Sequence, residues 1–289
     1  MLGGAGLVGL GAWAGTAGTR RLPAAPHHPD PHSWSDRGLY AAWLGHSTVL
    51  LKIDGTTILT DPVLSPRVGI DLGLVTLGLK RVVAPALTTA ELPKIDLILL
   101  SHAHFDHFDT PTLQRLESRG TAVITASKTS DLLRVARYAG VQELAWGQNT
   151  QVGPVAVRAF QVKHWGARMR SDTWRGYNGY TLEAGRYRVL FGGDTALTTT
   201  FRPLKTSRTF DLAIMPVGAY NPWIRAHCTP EQSWQMANEA GAEFFLPVHH
   251  QTFTLSREPY MEPIERVYGA AGRHPDRVAL QQIGQEFHA

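Results

Sequence analysis

Apolar and polar positions along this chain fall into short runs, most of them too brief for helices and well suited to strands. Strand-type runs dominate residues 39–60. Ile95-Asp-Leu-Ile-Leu-Leu100 reads as a buried strand, and Val155-Ala-Val-Arg-Ala-Phe-Gln-Val162 predicts another through its β-branched alternation. Arg186-Tyr-Arg-Val-Leu-Phe191 and Phe244-Phe-Leu-Pro-Val248 predict two more. Helical and strand patterns alternate over 110–145, and strands dominate again over 150–191. The final helix is expected to begin at Thr229-Pro-Glu-Gln232, with Thr as N-cap, Pro at the first helical position and Gly241 as stop. Residues 22–36 show no apolar period and read as a linker, which sets the packed domain at 37–289. Ahead of it, Leu2–Gly18 is uncharged and Gly-rich, followed by Arg20-Arg21. It reads as a signal-like or weakly anchoring segment, or else as a disordered tail.

The predicted strands end in a particular chemistry. Residues 101–109, Ser-His-Ala-His-Phe-Asp-His-Phe-Asp, hold three histidines and two carboxylates directly after the 95–100 strand. Neutral imidazole and carboxylate are the ligands that Zn²⁺, Mn²⁺ and Fe²⁺ take. An incidental His-rich loop would have no reason to sit at a strand end, so the segment is a candidate metal site. His164 follows the 155–162 strand, Asp194 follows the 186–191 strand after two glycines, and His249-His250 follow the 244–248 strand. Ligand-type residues thus recur at four strand ends.

With His102-x-His104-x-Asp106-His107 and a later His, Asp and His, the chain resembles the metallo-β-lactamase-fold hydrolases. It is most similar to their branch of N-acyl-phosphatidylethanolamine-hydrolysing phospholipase D and its bacterial relatives. Trp43-Leu-Gly-His-Ser-Thr-Val-Leu50, Leu59-Thr-Asp-Pro62, Glu91-Leu-Pro93, Phe191-Gly-Gly-Asp-Thr195 and Met215-Pro-Val-Gly-Ala-Tyr220 carry that likeness. His227-Cys-Thr-Pro-Glu231 and His249-His-Gln-Thr-Phe253 complete it. The segment Arg168–Tyr180 departs from the branch's usual pattern beside the metals. The strand-rich, helix-flanked order in two halves suits an α/β sandwich of four αββα layers, and the resemblance selects it.

The resemblance implies two divalent metal ions, zinc first, with manganese or iron as alternatives. His102, His104 and His164 would hold one; Asp106, His107 and His249 the other; Asp194 would bridge. Asp61 and Asp109 would orient ligand imidazoles through the far ring nitrogen. Such a site activates a bridging water at neutral pH and suits phosphodiesters, lactones and amides. Asp106 and Asp194 would then be catalytic, joined by His227 at the leaving group. Trp165, Arg168, Tyr220, Trp223 and Arg225 are the expected substrate contacts. The leading expectation is a phosphodiesterase of the phospholipase D type acting on a small or lipid substrate. A lactone, ester or amide hydrolase is the alternative, and a metal-binding protein without turnover is the contrast from another class.

Bulk properties narrow this further. Lys and Arg exceed Asp and Glu by 28 to 24 without any cationic stripe, so nucleic acid is not expected as a partner. Cys228 is the only cysteine, so no internal disulfide can form, and a buried thiol is its expected role. Leu2–Gly18 together with a lipid-handling resemblance favours an exported or membrane-associated placement over the cytoplasm.

Overall fold

The chain is described here as a computed structural model covering residues 22–73, 76–134 and 136–289. Leu2–Gly18, the proposed anchor, lies outside the described residues. Val, Ile, Leu and Thr favour the pleated, half-buried surface of a sheet. They build β1 (Leu39–Gly45), β2 (Thr48–Ile53) and β3 (Thr56–Thr60) into an antiparallel meander. A hairpin of β4 (Arg67–Asp71) and β5 (Thr76–Lys80) follows and, among the described residues, forms a two-stranded sheet of its own. Then β6 (Leu97–Leu99), the short helix α1 (Thr110–Arg115), β7 (Ala122–Ala126) and β8 (Gly140–Leu144) extend the first sheet in parallel beyond β3.

The second half repeats the plan. β9 (Asn149–Val152), β10 (Val155–Phe160), β11 (Gly179–Ala184) and β12 (Tyr187–Phe191) run antiparallel. β13 (Phe210–Pro216), α2 (Pro230–Ala240), β14 (Ala242–Val248) and α3 (Glu262–Ala271) add two parallel strands and two helices. β15 (Glu286–His288) returns to the edge of the first sheet beside β1. The result is a seven-stranded and a six-stranded sheet. Leu50, Leu97 and Leu99 of the first share an apolar core with Tyr180, Leu182 and Val189 of the second. A smaller core joins Leu190, Ala213 and Phe245 to Met236 of α2 and Val267 of α3. This is the α/β sandwich expected.

Helix α2 starts and stops as its sequence dictates. Thr229 and Gln232 form a reciprocal capping box, Pro230 opens the helix, and Gly241 ends it at φ 80°. It is not the final helix, because α3 follows. The helices expected to alternate with strands over 110–145 are also reduced to six residues of α1 and one 3₁₀ turn at Ser130–Leu132. There the backbone N–H groups of Lys128, Thr129 and Ser130 donate to the Glu143 carboxylate, an alternative to helical pairing.

The stretch read as a linker is packed. His27 donates its backbone N–H to Ile283, and Ala84 donates to Pro23. Trp34 is buried, stacks on Tyr40 at 5.5 Å and donates its indole N–H to Glu286 at 2.6 Å. Proline and histidine contacts hold this segment without any helical or strand period, which is why the pattern gave no sign of it.

Candidate metal centre

The centre lies where strands of both sheets end. β6 hands the chain to Ser101 and the 102–109 loop, β10 to His164, β12 to Asp194 and β14 to His249. Gly193 makes the Asp194 turn possible. Its φ is 56°, and a Cβ there would meet the Asn178 carbonyl at 2.7 Å. Two four-residue sets emerge, each with ligand atoms within 4.8 Å of one another: His102, His104, His164 and Asp194; and His46, Asp106, His107 and His249. Asp194 Oδ2 lies 3.2 Å from His107 Nε2 and 3.1 Å from His249 Nε2, and 4.0 Å and 3.8 Å from the Nε2 atoms of His102 and His164. It therefore stands between the sets.

Outward hydrogen bonds fix which nitrogen each imidazole turns inward. His107 Nδ1 donates to Asp61 at 2.7 Å, leaving Nε2 bare toward Asp106 and Asp194. Ser101 Oγ donates to Asp61 and so accepts from His102 Nδ1 at 2.8 Å. His164 Nδ1 donates to the Ala226 carbonyl at 2.8 Å. Each of these three rings thus spends its one N–H outward and aims a lone pair inward. His102 Nε2 and His164 Nε2 then face His104 Nδ1 at 2.8 Å and 3.3 Å. A single proton on His104 can serve only one of them. Asp194 Oδ1 and Oδ2, His107 Nε2 and His249 Nε2 are buried without a hydrogen-bond partner. Converging lone pairs in a dry space call for cations, so the donor set fits a metal.

Charge points the same way. Burial opposes ionisation of Asp106 and Asp194, yet the facing His107 and His249 hold both carboxyls well below the usual carboxylate range. In return, and against burial, Asp194 and Asp106 lift His249 to about 9 and push His107 up as well. Burial depresses His102 and His164.

Above the centre opens a cleft of about 430 Å³, lined by Val68, Leu79, Phe105, Trp165, Trp223, His227 and Leu255 among others. His227 Nδ1 sits 3.8 Å from Asp194 and, buried, is depressed to about 4. Trp165 and Trp223 line the cleft and are half exposed on its rim.

Four expectations are corrected. Arg168 does not reach the cleft lining. Its guanidinium donates to the Ala103 and Phe108 carbonyls at 3.1 Å and 2.8 Å and to Thr110, and lies over the Phe105 ring, so it grips the metal loop from behind. Tyr220 is buried against α3, donating its hydroxyl to Glu262 at 2.7 Å beneath Arg266. Arg225 is exposed and absent from the cleft wall. Asp109 accepts from the Thr112 hydroxyl at the start of α1, and none of its hydrogen bonds among the described residues is to a ligand imidazole. Asp61, by contrast, carries out the orienting role expected of it.

Sequence reasoning missed His46. Its Nε2 meets Asp106 Oδ2 at 3.0 Å, and burial together with His249 depresses it to about 3. It sits in the tight turn after Gly45, between the first two strands, with φ 52°. His250, passed over in favour of His249, stacks on Trp43 at 4.5 Å and belongs to neither set.

The beta-lactamase superfamily domain matches residues 56–250 of this chain, spanning the hairpin and all of the strand-end ligands. The chain belongs to that superfamily. As a metallo-β-lactamase-fold, metal-dependent hydrolase it has relatives of several kinds. An uncharacterised protein of Mycobacterium tuberculosis is 33% identical over 279 residues, covering 91% of this chain and 73% of that protein. N-acyl-phosphatidylethanolamine-hydrolyzing phospholipase D 1 of Caenorhabditis elegans is 27% identical over 251 residues, covering 81% and 70%. The solved structure of a metallo-hydrolase from Ignicoccus hospitalis superposes with a TM-score of 0.64 at 19% identity, covering 88% of this chain and 99% of that one. That last likeness concerns the fold alone.

Proposed function

We propose that this hydrolase holds two divalent ions, zinc in the first instance, and cleaves phosphodiesters in the manner of a phospholipase D. The observation that carries the proposal is Asp194, whose unpartnered carboxylate lies between two complete sets of donors. One set is His102, His104 and His164; the other is Asp106, His107 and His249, with His46 against Asp106. Cations held by these residues would supply a water acidic enough to attack at neutral pH and would neutralise charge on the phosphoryl oxygens.

The chain's own residues do the rest. Asp61 and Ser101 keep His102 and His107 in the tautomers that face inward. His227, on the cleft wall with its Nδ1 3.8 Å from Asp194, hands a proton to the departing oxygen. Trp165, Trp223 and Phe105 exclude bulk water and bed the apolar part of the substrate. The Caenorhabditis relative, a phospholipase D by name, supports the phosphodiester class.

The test is a screen of zinc-loaded protein against bis-p-nitrophenyl phosphate, phosphatidylethanolamines and acyl lactones. Turnover of the diesters with inert lactones is the expected result. Lactone turnover alone would replace this reading with the ester alternative.

A further inference from the structure

Outside the metal centre, the hairpin β4–β5 stands apart from both sheets. Its cross-strand pairs are Arg67 with Lys80, Val68 with Leu79, Gly69 with Gly78, Ile70 with Leu77 and Asp71 with Thr76. Side chains alternate between the faces of a strand, so Val68, Ile70, Leu77 and Leu79 share one face, with Leu72 next in phase. Arg67, Asp71, Thr76 and Lys80 take the other. Such a division normally covers a core, but here the apolar face grows barer toward the tip. Val68 is 4% exposed, Leu79 43%, Ile70 45%, Leu77 57% and Leu72 60%.

The buried end of this face is the cleft wall, since Val68 and Leu79 line the cavity that holds Asp106, Asp194 and His227. An apolar track therefore runs from the metal centre out along the strands to Leu72 and Leu77. Across the cleft the rim continues it with Trp165, Trp223 and Ile224, which are 49%, 56% and 44% exposed. Exposed cations accompany the apolar groups. Arg225 follows Ile224, Arg257 is tied to that loop through its backbone bond to Asn221, and Arg67 and Lys80 stand at the base of the hairpin on its opposite face.

We infer that the β4–β5 hairpin, with Trp223 and Ile224, docks the enzyme on a lipid surface carrying anionic headgroups, with the mouth of the cleft facing the lipid. Bare leucines that enter the acyl boundary, tryptophans at headgroup depth and a cationic fringe are the three elements of interfacial binding. Continuity with the cleft distinguishes this face from a scatter of surface leucines. A soluble partner has no need of a track into the metal centre, whereas a lipid tail leaving its bilayer does. The inference rests on the lipid phosphodiester reading of the site, but it is tested without any turnover.

Full-length protein and its Leu72→Glu/Leu77→Glu variant are sedimented with vesicles of phosphatidylcholine containing phosphatidylglycerol. The expected result is a loss of at least tenfold in vesicle partitioning for the variant, at an unchanged melting temperature. Equal partitioning of the two proteins overturns the docking role. So does concentration-dependent dimerisation of the parent that the variant lacks, which would make a second copy the occupant. In a second measurement, Leu72→Cys carries an environment-sensitive fluorophore, buried Cys228 being shielded from labelling. Its emission should shift to the blue when the same vesicles are added, and an unshifted spectrum refutes insertion. Diester turnover in the separate screen, with no vesicle binding here, would sink this inference and leave the hydrolase reading standing.

Discussion

His249 shows what the metal-free centre does with its charge. Its folded value of about 9 lies above the ordinary 6.5, so its proton stabilises the metal-free fold fully below about 6.5. That contribution fades as pH rises through about 9. A cation must displace the same proton, so metal affinity should climb across this window and level off above it. Calorimetric titration of zinc into metal-free protein, in buffers of differing ionisation enthalpy, should reveal proton release at pH 7 that has vanished by pH 10. His227 makes a different prediction. His227→Ala should keep its metal while kcat falls by roughly 10²–10⁴-fold, the usual size of a general acid–base contribution. The loss should shrink for p-nitrophenol leaving groups, which need no proton. The ligands were legible because His and Asp are rarely clustered at strand ends. His46 was not, since one histidine in a tight turn resembles any other. Nor can sequence tell which way a loop side chain points, and so Arg168 and Tyr220 were assigned to the substrate when their partners are Phe108 and Glu262.

Among the elements, buried strands announced themselves through unbroken apolar runs, as in β6 and β14, and α2 through its caps. The β4–β5 hairpin escaped because facing Gly69 and Gly78 lower the strand propensity of both runs without breaking their alternation. Helix α3 lacks a side-chain cap at Met261, so Pro263 and the acidic Glu262 and Glu265 are the only marks of its start. The 102–109 loop is an element held by Arg168, and this can be measured. Arg168→Met removes three hydrogen bonds and should weaken zinc binding about tenfold or more, as loss of such supporting contacts does. Competition against a chromophoric chelator would report it, and Arg168→Lys should recover only part, because one ammonium cannot span both carbonyls. The segment 22–36 belongs here too. With Trp34 buried on Tyr40, deletion of residues 1–36 should cost about 3 kcal/mol, visible as a lower urea midpoint.

For the molecule as a whole, the sandwich was readable as two strand-rich halves, but only the resemblance chose it from other strand-rich architectures. Composition alone does not encode which sheet faces which. The metal ligands bind the halves to one another, for the 102–107 loop leaves the first sheet while His164, Asp194 and His249 leave the second. Reconstituted protein should hold two zinc ions by elemental analysis, and Asp194→Ala should hold at most one. Stripping the metal should lower the melting temperature of the entire fold rather than fray one edge.

The division of ligands between the sheets also sets an order in time. During synthesis the chain displays its histidine-rich loop long before His249 exists, and that loop alone presents only half of either set. A cation caught then would be held loosely and exchanged freely with whatever chelators surround the nascent chain. His102, His104, His164 and Asp194 all precede β14, so only the second set waits until β14 has aligned beside β13 and delivered His249. A cation at the second set would therefore be chosen by a finished cavity, from the ions present once folding is done.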